Sequence, residues 1–118
     1  MKQKIDMFGQ NVRCKWDEAE GDWYYSITDV VAELTHSDNV KQCISRIKSS
    51  CSFFYRNWDI VSKPQVVADK NGVKRRIMTA KTQYIFRIIM ALESNYSEPY
   101  KLWICAIASD QLESSVKA

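Results

Sequence analysis

The sequence predicts an α+β fold: a single compact domain over residues 1–118, built from two β-hairpins and about four helices. Three observations point there. Two stretches alternate apolar and polar residues and fold back over polar turns; several others repeat apolar residues at helical spacing. The chain, at 118 residues and 46% hydrophobic, can close one core but not two comfortable ones, and its three Gly and two Pro leave little material for a linker.

Taken in order, Asn11 to Trp16 alternates Val12, Cys14 and Trp16 with polar neighbours. Trp23 to Tyr25 can pair back across the acidic turn Asp17 to Asp22, giving an opening hairpin. Ser26, with Asp29 three residues on, forms a capping arrangement, and Ile27, Val30, Val31 and Leu34 then fall at i, i+3, i+4 and i+7, a short helix ending near Thr35. Ser37 and Asp38 can cap a second helix, with Val40, Ile44 and Ile47 inward and Lys41, Arg46 and Lys48 outward. Two short helices joined at His36-Ser37 resemble a helix-turn-helix unit. Cys51 to Ile60 is too crowded with aromatics (Phe53, Phe54, Tyr55, Trp58) to show a period and is unassigned.

Gln65 to Ala68 and Val73 to Met78 flank Asp69-Lys70-Asn71-Gly72, and Asn-Gly is a strong hairpin signal because both residues tolerate positive φ. The return strand puts Lys74 and Arg76 on one face and Arg75 on the other, with Lys70 at the tip, a basic finger. Thr79 or Thr82 can cap a third helix with Ile85, Ile88, Ile89 and Leu92 as its stripe, widened by Phe86 and Met90. After the polar break Ser94 to Ser97, Glu98-Pro99 opens a last helix with Leu102, Trp103, Ala106 and Ile107 as its inner face.

Charge is uneven. From Asn39 to Arg87 there are eleven cations (Lys41, Arg46, Lys48, Arg56, Lys63, Lys70, Lys74, Arg75, Arg76, Lys81, Arg87) against Asp59 and Asp69, while the rest of the chain carries six cations against twelve acids. Such polarity favours a polyanionic partner on one side. Other chemistries find less support. His36 is the one histidine and sits in a predicted turn, the three glycines stand apart from any phosphate loop, and Asp17, Glu18, Glu20 and Asp22 lack the order of a calcium loop and read as a solvated turn. Cys14, Cys43, Cys51 and Cys105 show no ligand spacing and read as reduced, mostly buried thiols. The expectation is a non-enzymatic binding domain without cofactor or metal, cytoplasmic, and not inserted in a membrane.

Several fragments, in order, carry a resemblance: Phe8-Gly9, Lys15-Trp16-Asp17, Trp23-Tyr24-Tyr25-Ser26, Thr28-Asp29-Val30-Val31, the Asp69 to Gly72 turn with Lys74 to Arg76, Thr79, Arg87-Ile88-Ile89 and Glu98-Pro99-Tyr100-Lys101-Leu102-Trp103. Together, from Phe8 to about Ile107, they resemble the BRO N-terminal domain of phage antirepressors and baculovirus BRO proteins. The closest flavour is the prophage form, including DNA damage-inducible protein D. Cys43, Tyr84, Asn95 and Tyr96 depart from the common pattern.

The resemblance implies a DNA-binding α+β domain in a bacterial host cell, usually followed by a variable C-terminal region. Whether such a region belongs to this protein, which ends here at Ala118, the sequence leaves open. On this reading Lys41, Arg46 and Lys48 approach a duplex while Lys70, Lys74, Arg75 and Arg76 contact phosphates, Lys81 is a further DNA-binding residue, and base reading would need Asn39, Gln42, Arg46 or another residue of that helix to reach base edges. The alternative is an antirepressor that neutralises a phage repressor through the aromatics between Phe53 and Trp58. A partner in the DNA-damage response is a third reading, and self-association stays open.

Overall fold

The computed structural model describes the backbone of residues 2–117 and the side chains of residues 2–114. Its elements run β1 (Cys14–Asp17), β2 (Asp22–Ser26), α1 (Ile27–Thr35), α2 (Val40–Ser50), α3 (Ser52–Val61), β3 (Lys63–Ala68), β4 (Lys74–Lys81), α4 (Thr82–Ala91) and α5 (Glu98–Lys117), with 3-10 turns at Asp6–Phe8 and Asn95–Ser97. The fold is α+β, with both expected hairpins joined in one antiparallel sheet of order β1-β2-β4-β3. Among the described residues five α-helices stand where the sequence pattern gave about four.

Strand alternation decides what each face of the sheet meets. Tyr25 opposes Ala80 across β2 and β4, and both are buried under the helices together with Val30, Leu34, Ile85 and Ile88. The opposite face curls on itself, so that the two edge strands approach: Asp17 of β1 accepts hydrogen bonds from Lys63 Nζ and Gln65 Nε2 of β3, both at 3.0 Å. Those donors, with the Glu20 amide, hold the Asp17 carboxyl down at about 2. At the other corner of the turn, Asp22 is buried and accepts from the Trp23 amide and the Thr82 hydroxyl. The acidic turn is therefore solvated only at Glu18 and Glu20. Its two flanking aspartates are structural locks.

α1 forms as its sequence dictates. Ser26 Oγ accepts from the Asp29 amide at 3.2 Å, and Ile27, Val30, Val31 and Leu34 are all buried. Asp29 also takes a two-pronged ion pair from Arg13, at 2.7 and 2.9 Å, and a bond from the Arg13 amide, which fastens the approach to β1 onto the first turn of α1. His36 ends the helix in the left-handed region (φ 52°), and its ring stacks on Tyr96 at 3.7 Å.

Four local readings change. The cap of α2 is Asn39, which accepts from the Gln42 amide, while Ser37 accepts from the amide of Asn39. The unassigned aromatic stretch is α3. Phe54, Trp58 and Val61 point inward at i, i+4 and i+7, but exposed Tyr55 and Ile60 hide that period in the sequence. The cap position of α4 is Lys81 without a side-chain bond; Thr82 turns to Asp22 instead, and Thr79 lies within β4, donating to the Lys63 carbonyl. The apolar face of α4 is as expected at Ile85, Ile88, Ile89 and Leu92, with Met90 exposed.

α5 is rotated from the expected setting. Tyr100, Trp103 and Ile104 face the body, whereas Leu102 is 69% exposed and Ala106 and Ile107 are exposed as well. The N-terminal segment explains this: Ile5 and Phe8 fill the core, and the Phe8 ring meets Tyr100 at 5.4 Å. The thiols are free, with Cys14, Cys43 and Cys51 half-buried and Cys105 exposed, more open than the mostly buried thiols expected.

Candidate nucleic-acid interface

Four of the eight cations singled out from the sequence gather on the β3–β4 hairpin. Lys70, Lys74, Arg75 and Arg76 are all exposed, and none of them takes part in an ion pair among the described residues. The acid within the hairpin, Asp69, is turned to its own backbone: one carboxylate oxygen accepts from the amides of Asn71 and Val73. That carboxylate keeps its charge, so the tip carries four cations against one acid and its field is positive.

The turn is not the two-residue form that Asn-Gly suggests. Among the described residues, His36 is the one non-glycine residue with positive φ, so Asn71 stays in an ordinary conformation and Gly72 alone takes the left-handed one (φ 84°). The Gly72 amide donates to the Asp69 carbonyl and the Asp69 amide to the Val73 carbonyl, both at 3.0 Å. This longer loop, with its glycine in the bulge position, sets the register Ala68 to Lys74, Val67 to Arg75, Val66 to Arg76 and Pro64 to Met78.

Directly opposed residues share a face. Val67, 1% exposed, marks the covered face together with Gln65 and Ile77, and Arg75 leaves that face near the tip. Arg76 and Lys74 stand on the bare face with Pro64, Val66, Ala68 and Met78, all six exposed. Sequence reading separated Arg76 from Arg75 correctly by alternation, but it missed the four apolar neighbours. The signal that would have found them is the register, which depends on the turn type.

The remaining predicted residues do not join this surface as one group. Lys41 and Lys48 lie seven residues apart on one face of α2, with Lys48 Nζ 5.3 Å from the Trp58 ring centre. Arg46 is about 140° further round the helix and lines a 370 Å³ cleft with Cys43, Ala91 and Glu93. Lys81, seven residues along β4 from Lys74, stands about 23 Å from it. It packs over the Tyr84 ring at 5.4 Å, in a 440 Å³ cleft that also holds Glu20, Asp59 and Lys63. In that mixed-charge setting Lys81 is separate from the finger. Asn39, a candidate for reading bases, spends its side-chain oxygen on the Gln42 amide.

The aromatics assigned to a protein interface are mostly interior. Phe54 is fully buried, Phe53 and Trp58 are packed against the core, and Tyr55 alone of the four is exposed, at 75%. Among the described residues no three His, Cys, Asp or Glu side chains gather as a metal-ion site, and no helix is long and apolar enough to cross a membrane.

Comparisons with protein-family models, with curated proteins and with solved structures return no match to this chain.

Proposed function

We propose that this domain binds duplex DNA through phosphate contacts made by the β3–β4 hairpin. It would serve as the DNA-binding module of a phage- or prophage-type, antirepressor-like transcriptional regulator acting in the cytoplasm of a bacterial cell. The regulator class comes from the sequence resemblance. The binding surface rests on one observation: four exposed, unpaired cations on a single hairpin, against one acid that is bound to its own turn and pairs with none of them. Cations already paired with carboxylates would have little left to offer a phosphate, whereas these keep their full charge for counterion exchange on DNA. The protein-binding alternative keeps Tyr55 at the surface, while Phe53, Phe54 and Trp58 are engaged in packing.

The test is fluorescence anisotropy of a labelled 20-base-pair duplex titrated with the domain at low and moderate salt. Affinity that falls steeply as salt rises supports the reading. Absence of binding at low salt, or binding indifferent to salt, overturns it.

A further inference from the structure

The covered face of the β3–β4 hairpin is accounted for by its contacts with β1, but the bare face is not. Pro64, Val66 and Ala68 on β3 oppose Met78, Arg76 and Lys74 on β4, all six exposed. Val66 and Met78 are 48% and 45% exposed, close to half of each side chain in water. By alternation this is the outer end of the face that Ala80 buries under the helices, and where a sheet face emerges into solvent it is normally polar. This one is apolar with two cations and no acid.

We propose that this face enters the major groove of duplex DNA, with Arg76 reading guanine and Val66 and Met78 meeting thymine methyl groups. The inference rests on the DNA-binding function proposed above and adds to it which side chains select sequence. Its dimensions suit the groove: two strands about 4.8 Å apart, with side chains, make a ribbon about 10 Å across and about 20 Å long, against a groove about 12 Å wide. Major-groove edges offer the guanine O6 and N7 acceptors and the thymine methyl, and those features match a guanidinium flanked by apolar side chains. The minor groove offers no methyl group. Charge complementarity also favours DNA over an apolar protein surface, on which Lys74 and Arg76 would be desolvated without a counter-charge. Lys70 at the tip and Arg75 on the reverse face are left for the flanking phosphates.

The experiment selects bound duplexes from a pool with a random centre, then repeats binding with guanines methylated at N7 and with uracil in place of thymine. N7 methylation should exclude the contacted guanine from the bound fraction, and Arg76→Ala should relieve that exclusion and lower discrimination at the position by about 5- to 150-fold. Uracil should weaken the parent several-fold and leave Val66→Ser/Met78→Ser unaffected, with circular dichroism checking that each variant is folded. Salt-sensitive binding that ignores both modifications would overturn the groove-reading face while leaving the phosphate-binding function standing. No duplex binding at any salt would remove both. A dimer seen in sedimentation that the Val66→Ser/Met78→Ser change dissolves, with DNA affinity unaltered, would give the face to a second copy and overturn the inference.

Discussion

Replacing Lys74, Arg75 and Arg76 by alanine removes three of the four unpaired hairpin cations. It removes no buried residue, since all three are exposed and lie outside every ion pair among the described residues. Stability should therefore move by no more than about 0.5 kcal/mol, the usual range for surface positions. Binding should change far more. With all four cations on phosphates the hairpin contributes a slope of about −3.6 to log affinity against log salt, with Arg76 on a base instead about −2.7, and with Lys70 alone about −0.9. Between about 50 and 200 mM salt the first slope costs about 150-fold in affinity and the last about 3.5-fold. Anisotropy titrations across that range measure the difference, which should be about 2.7 slope units with all four cations on phosphates, or about 1.8 with Arg76 on a base, whatever α2 adds. A folded triple variant with the parental slope would refute the assignment of the phosphate contacts to this hairpin.

Other expectations follow from the packing. Trp103→Ala should cost about 2 kcal/mol, below the roughly 3 to 5 of a fully buried tryptophan, because Trp103 is half-buried against Phe86. Leu102→Ala, at a side chain 69% exposed, should cost less than about 0.5 kcal/mol; urea midpoints that ranked the two in reverse would mean α5 is rotated as the sequence pattern first suggested. Ser26→Ala removes the cap bond to the Asp29 amide and should lower stability by about 1 kcal/mol, read as a drop in thermal midpoint. Asp17, ordinarily near 3.8 and held at about 2 by Lys63, Glu20 and Gln65, stabilises the fold fully above about pH 4 and loses that contribution as pH falls through 2. The midpoint of Asp17→Asn should accordingly fall less than the parent's between pH 4 and pH 2; equal falls would mean the curl of β1 towards β3 does not depend on this carboxylate.

Much of this was legible in the residues themselves. The period of Ile27, Val30, Val31 and Leu34, bounded by Ser26 and His36, fixes α1 because both its signals are local: a cap three residues from its acceptor and a stripe on one side. The two hairpins and the stripe of α4 are local in the same sense, and alternation alone parts Arg75 from Arg76. The concentration of cations between Lys41 and Arg87 is a matter of composition.

What needed the tertiary structure is whatever depends on a partner distant in sequence. α3 escaped notice because Tyr55 and Ile60 carry apolar character on its outer face, and only packing shows that Phe54 and Val61 are the inner ones. α5 turns to set Tyr100 against Phe8, ninety-two residues away, and a helix cannot report from its own sequence which of two apolar stripes a remote segment will cover. The hairpin shows the same limit at the candidate site. A two-residue Asn71-Gly72 turn would have paired Val67 with Arg76, drawing Arg76 to the covered face. The observed loop, held by the Asp69 carboxylate, pairs Val67 with Arg75 instead and leaves Arg76 on the bare face beside Val66. A shift of one residue reverses every side chain on a strand, so the amino acids supply the positive charge of this surface, and the closed turn together with the burial of Val67 decides which arginine joins the bare face.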